Sequence, residues 1–173
     1  MVEENIEAAL ILEDDVTFDK NFIQKFNEYY SHVPCNWDMI LLGCTMLCRS
    51  DKTLFENIIE NFIYFKGNTS VNNYVNRIVS FTGLHAYILR LETAKRFINE
   101  ASKEINDYIE LQLSSYINKN SDLNVYAFQN YLVTQNLLLY ESVNNTSRSP
   151  NLINMALENI SLYQDDDYKI SWG

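Results

Sequence analysis

The sequence predicts an α/β fold, a mixed or largely parallel sheet flanked by helices. Two observations carry this expectation. Short apolar runs bounded by turn residues alternate with stretches of helical periodicity. The first apolar run, Ala8-Ala9-Leu10-Ile11-Leu12, ends abruptly in Glu13-Asp14-Asp15, and acids at the carboxyl end of a buried strand mark where open α/β sheets hold ligands.

In chain order, Ala8 to Leu12 is expected as a buried, central strand. Asp19 is placed to cap the helix that follows, in which Phe22, Phe26, Tyr29 and Tyr30 recur at helical spacing and make one aromatic face. His32-Val33-Pro34 stops that helix. Trp37 to Gly43 is a second buried strand, and Phe62-Ile63-Tyr64-Phe65 a third. Asn68 to Asn76 is a polar loop. Leu84 to Leu89 is a fourth strand, with Gly83 at its start. Ala94, Phe97, Ile98 and Ala101 form one stripe of a helix, and a second helix runs through Ile105, Tyr108, Ile109, Leu113, Tyr116 and Ile117. Leu123 to Phe128 alternates as a strand. The 173 residues suggest one domain, with 141–173 a polar extension that carries the solvated run Asp165-Asp166-Asp167.

Composition excludes some functions. An apolar share of 47% is enough for a core, and a net charge of -10 argues against nucleic-acid binding or a polybasic membrane surface. No apolar run reaches 18 residues, so no transmembrane helix is expected. The acidic start Met1-Val2-Glu3-Glu4 lacks the basic region of a signal peptide, so the compartment is read as cytoplasmic or left open. The odd number of cysteines, Cys35, Cys44 and Cys48, argues against a disulfide framework, and buried free thiols are expected rather than a zinc set with His32.

The acids at 13 to 15 carry the chemistry. If the backbone stays extended, Glu13 and Asp15 point one way and Asp14 the other. An acid-x-acid pair suits a hard divalent cation, Mn²⁺ or Mg²⁺. The same acids also suit the approach to a helix N-terminus, where negative charge is favoured.

Four segments in order resemble glycosyltransferase family 25, which includes bacterial lipopolysaccharide galactosyltransferases and procollagen galactosyltransferases. Leu10 to Val16 is similar to the family's metal-binding strand end. Asn36 to Gly43 is similar to its DWDxxxLG segment. Thr82 to Leu89, followed by Ala94-Lys95, is similar to its G-x-H-x-Y segment. Asn106-Asp107, with Val125-Tyr126-Ala127 and Leu132-Val133-Thr134-Gln135, is similar to its P-x-D helix start and closing strand. The chain departs from the pattern at the usual proline, replaced near Ile105, and at the usual serine, which is Arg90. The segment that normally precedes the acidic strand is not in this sequence, so an uncovered sheet edge, a weak isolated transferase and self-association are expected.

The resemblance implies a GT-A-like, metal-dependent transferase that moves a hexose, galactose or glucose, from a UDP-sugar to a glycan or hydroxylysine-type acceptor. It implies Glu13 and Asp15 as ligands for Mn²⁺ or Mg²⁺, with His85 joining them. His85 also reads as a hydrogen-bonded structural histidine. Asp14 is placed for the donor's ribose or sugar, or for helix capping. Gly83 permits close backbone approach to the donor or a positive φ. Asp107 matches the family's acid as general base, with Glu110 one turn further along; a solvated helix face is the other reading of both. Asp38 is a supporting acid or a turn residue, and Trp37 a core residue. The alternative function is a noncatalytic, transferase-like module that assembles with itself or with a partner domain.

Overall fold

The computed structural model describes residues 1–45, 68–101 and 108–135, all within one compact unit, Met1–Gln135. The expected strand at Phe62, the start of the second late helix, Asp107 and the extension 141–173 lie outside the described residues. The described strands are β1 Ala8–Leu12, β2 Val16–Phe18, β3 Met39–Thr45, β4 Thr69–Ser70, β5 Val75–Ile78, β6 Thr82–Arg90, β7 Val125–Phe128 and β8 Val133–Gln135; the helices are α1 Phe22–Tyr30, α2 Leu91–Arg96, continued by a π-helical turn Phe97–Ala101, and α3 Ile109–Lys119. Six strands form one sheet in the order β1-β6-β3-β7-β5-β4, and β2 pairs with β8 in a second, two-stranded ribbon. The sheet is mixed: β3 and β7 run parallel, and its other pairs are antiparallel. The α/β expectation is met, with antiparallel pairing predominant.

Strand β3 lies inside the sheet. Met39, Ile40, Leu41 and Leu42 are each 0–1% exposed, as a strand covered on both faces requires. Successive residues alternate sides. Met39 and Leu41 join Leu89, Val125, Phe97, Ala101, Leu113 and Ile117 under α2, its π turn and α3. Ile40 and Leu42 join Ala86, Ile88, Tyr126, Phe128 and Tyr29 under α1. On α1 the i, i+4 series Phe22, Phe26 and Tyr30 stacks ring on ring at 5.8 and 5.4 Å, and Phe26 meets Phe128 edge-on. The helical spacing read from the sequence therefore produces the seam that seats α1 on the sheet.

The structure corrects several expectations. Strand β1 is the edge of the described sheet, paired only with β6, and Leu10 and Leu12 are 45% and 38% exposed. An apolar run specifies a strand but not its place in the sheet. The expected loop Asn68 to Asn76 contains strand β4 and runs into β5, which buries Asn76 between β4 and β7. Asp19 precedes α1 without capping it: Asn21 holds the cap position, while the Asp19 carboxylate accepts from the Asn21 backbone N–H and from Lys25. Of the thiols expected to be free and buried, Cys35 is free but exposed, and Cys44 is buried in a disulfide.

Candidate active site

The carboxyl end of β1 meets the start of β6. Leu12 stands opposite Ala86, and the Glu13 N–H donates to the His85 carbonyl at 2.9 Å. Beyond Glu13 the extended backbone ends, and Asp14 and Asp15 form a turn into β2. The acids therefore do not alternate along a continuing strand. A distant segment gathers two of them instead.

That segment is β8. Its approach is fixed by Leu132, whose N–H donates to the Leu42 carbonyl of β3 and whose carbonyl accepts from the Asp19 N–H. From there β8 runs antiparallel to β2, with Gln135 opposite Val16. The Gln135 side chain lands between the acids. Its Nε2 donates to Glu13 Oε2 at 3.1 Å and to Asp15 Oδ2 at 2.9 Å. The other Asp15 oxygen, Oδ1, is buried and has no hydrogen-bond partner. Asp14 stays exposed in the turn.

His85 is 2% exposed. Its Nε2 lies 3.2 Å from the Val133 carbonyl oxygen, an acceptor only, so Nε2 carries the proton and donates. In the neutral ring Nδ1 then bears a lone pair, and this atom is buried without a partner. Burial pulls the His85 pKa below its ordinary value, opposed by the hydrogen bond to Val133 and by the Asp15 charge. Burial also raises the Tyr87 pKa, helped by the Glu13 charge. A glycine makes this junction possible. A Cβ on Gly43 would collide with the Val133 carbonyl oxygen and stand 2.5 Å from His85 Nε2.

Gly83 has φ 78°, a backbone conformation that glycine adopts without strain. Its N–H donates to the Glu110 carboxylate on the first turn of α3. Burial raises the Glu110 pKa above its ordinary value, and this hydrogen bond opposes the shift. Glu110 is half-buried rather than on a solvated helix face. Gly83 lies just before His85, so Glu110 belongs to the same end of β6 as the acids.

Glu13, Asp15 and Gln135 are thus directly linked, His85 feels the Asp15 charge, and Glu110 stands apart on Gly83. Among the described residues, no three His, Cys, Asp or Glu side chains are grouped to hold a metal ion. Asp38 lies at the opposite end of β3. Its Oδ2 accepts from the Asn124 N–H at 2.7 Å and its carbonyl accepts from the Arg90 N–H, so it is a turn residue. Trp37 is buried, with the Arg90 guanidinium 4.3 Å over its ring.

The sequence model of glycosyltransferase family 25 (LPS biosynthesis protein) matches residues 1–111. The chain belongs to this family. A comparison with curated proteins found no match. The family 25 match takes in β1, the acidic turn, β3, β6 and Glu110, and it ends before β7 and β8. Gln135 and Val133, which complete the polar site, lie outside it. Sequence reasoning quoted Leu132 to Gln135 as a closing strand but assigned neither residue a role. No spacing rule connects residue 135 to residues 13 and 15, because the link is made by the β2–β8 pairing. Among the described residues, no helix is long and apolar enough to cross a membrane.

Proposed function

We propose that this family 25 chain is a metal-dependent transferase that moves a hexose, galactose or glucose, from a UDP-sugar to the hydroxyl of a glycan or hydroxylysine-type acceptor. The observation that carries the reading is the convergence of Glu13 and Asp15 on one amide nitrogen at the end of β1. The donor set suits a hard cation: two carboxylates, a buried Asp15 oxygen without a partner, and a buried His85 Nδ1 with its lone pair available. Glu13 and Asp15 would hold Mn²⁺ or Mg²⁺; His85, whose side chain is not grouped with them here, would have to approach to join them. Such an ion offsets the charge of the diphosphate and stabilises the departing nucleotide.

The remaining chemistry belongs to side chains. In transfer, the acceptor oxygen bonds to the anomeric carbon, the bond from that carbon to the diphosphate breaks, and its electron pair leaves with UDP. A base must take the hydroxyl proton. Glu110 suits that role, because burial raises its pKa towards the working range of a general base. Asp107 shares it on the strength of the family pattern. In this reading exposed Asp14 would contact the ribose or sugar, and Gly83 would allow the donor to approach the backbone closely.

The test is product formation from UDP-galactose and UDP-glucose with glycan and hydroxylysine-peptide acceptors, with and without Mn²⁺. The reading expects metal-dependent transfer that Asp15→Ala abolishes. Transfer unaffected by chelation would overturn the metal's role.

One observation favours a second reading, an assembly module. Leu10 and Leu12 are exposed on the edge strand of the described sheet. An open edge with apolar side chains is a template for another strand, supplied by a second copy or by a partner domain.

A further inference from the structure

The amide that joins Glu13 to Asp15 has a geometry suited to another role. Its nitrogen is 3.1 Å from Glu13 Oε2 and 2.9 Å from Asp15 Oδ2. Neighbouring oxygens around an octahedral cation with metal–oxygen bonds of about 2.1 Å are about 3.0 Å apart. The amide head thus stands from both acids at the spacing of adjacent ligands. A half-turn about the last side-chain bond of Gln135 puts Oε1 where Nε2 now lies, with almost no change in shape. Two carboxylates facing an amide oxygen repel, and a divalent cation among the three reverses the sign.

We propose that Gln135 supplies an oxygen ligand, through Oε1, to the divalent cation held by Glu13 and Asp15. The inference rests on the metal reading given above; Gln135 lies in the segment that resembles the family's closing strand, beyond the residues 1–111 that the family model matches. Two further observations point to a ligand here. Asp15 Oδ1 is buried without a partner, and so is Nδ1 of His85, a residue 2% exposed that the Asp15 charge reaches. Hydrogen bonding within the group leaves both atoms unsatisfied, and such atoms cost free energy when buried alone. The β2–β8 pairing, which sets Gln135 opposite Val16, fixes the ligand's position.

The test separates ligand from hydrogen-bond donor. Mn²⁺ affinity of the full chain is read from the electron paramagnetic resonance of free Mn²⁺, with and without UDP, for the wild type, Gln135→Glu, Gln135→Ala and Gln135→Met. Glutamate keeps the oxygen and cannot donate when ionised. Methionine keeps the length without either function and guards against an alanine variant that fails to fold. Gln135→Glu is expected to bind Mn²⁺ at least as tightly as the wild type, and its melting temperature to rise on adding Mn²⁺. Gln135→Ala and Gln135→Met are expected to bind roughly 10-fold more weakly or worse, the loss typical of removing a group that supports a metal site. Wild-type affinity in the alanine and methionine variants, or weakening in the glutamate variant, overturns the ligand role and leaves the metal reading standing. No Mn²⁺ binding by the wild type, even with UDP, overturns both.

Discussion

The carbonyl oxygen of Val133 occupies the space that a side chain on Gly43 would need. That contact brings β8 across β3 and places Val133 against His85 and Gln135 against the acids. Gly43→Ala should therefore act on the whole junction. The obstacle is backbone, which cannot move aside as a flexible side chain can. Thermal denaturation should show destabilisation of about 1–3 kcal/mol, the range for overpacking a core. A variant as stable as the wild type would show that β8 is not held as described.

Glu110 predicts a pH-dependent stability difference. Its folded pKa is raised above the ordinary value, by burial first. The folded state therefore favours the protonated acid, and stability falls as pH rises from the unfolded value of 4.5 through the folded one. Above that window the penalty is full. The amide of Glu110→Gln stays neutral throughout and escapes it. Urea denaturation should find Glu110→Gln more stable than the wild type at pH 7, with the difference closing at a pH of about 4. A constant difference at both pH values would contradict the shift.

Asp38 stands at the other end of the sheet and tests whether the two ends are separable. Removing its carboxylate leaves the Asn124 N–H without its 2.7 Å acceptor. Asp38→Ala should cost about 1–3 kcal/mol in chemical denaturation, as expected for an orphaned donor. Mn²⁺ affinity should stay at the wild-type value. A loss of metal binding without a loss of stability would return Asp38 to the site.

Much of the fold was legible, because it rests on local pattern. Met39 to Leu42 reads as a strand buried on both faces and is one. Phe22, Phe26 and Tyr30 read as a helical face and stack as one. The strand order was not legible. Ala8 to Leu12 is as apolar as β3 yet lies at the edge, since hydrophobicity reports burial propensity and not neighbours. Val75 to Ile78 was missed because Asn76 and Arg77 interrupt the apolar pattern. In the candidate site, the acid pair and His85 were legible as residue types. Their connection through Gln135 and Val133 was not, because it depends on long-range pairing.

The exposed edge yields a prediction of its own. Leu10→Lys with Leu12→Lys replaces two half-exposed side chains on β1, so stability should change by only about 0.5 kcal/mol each. If the edge joins copies of the chain, light scattering should show association in the wild type, and the double variant should shift to monomer. A wild type that is monomeric at high concentration would remove the assembly reading.

The most direct test of the central claim is calorimetry of UDP binding with and without Mn²⁺. The metal and the diphosphate supply each other's missing charge at Glu13 and Asp15, so each should strengthen binding of the other. The account predicts UDP binding with Mn²⁺ present, lost on chelation and lost in Asp15→Ala. Equal UDP binding with and without Mn²⁺ would contradict it.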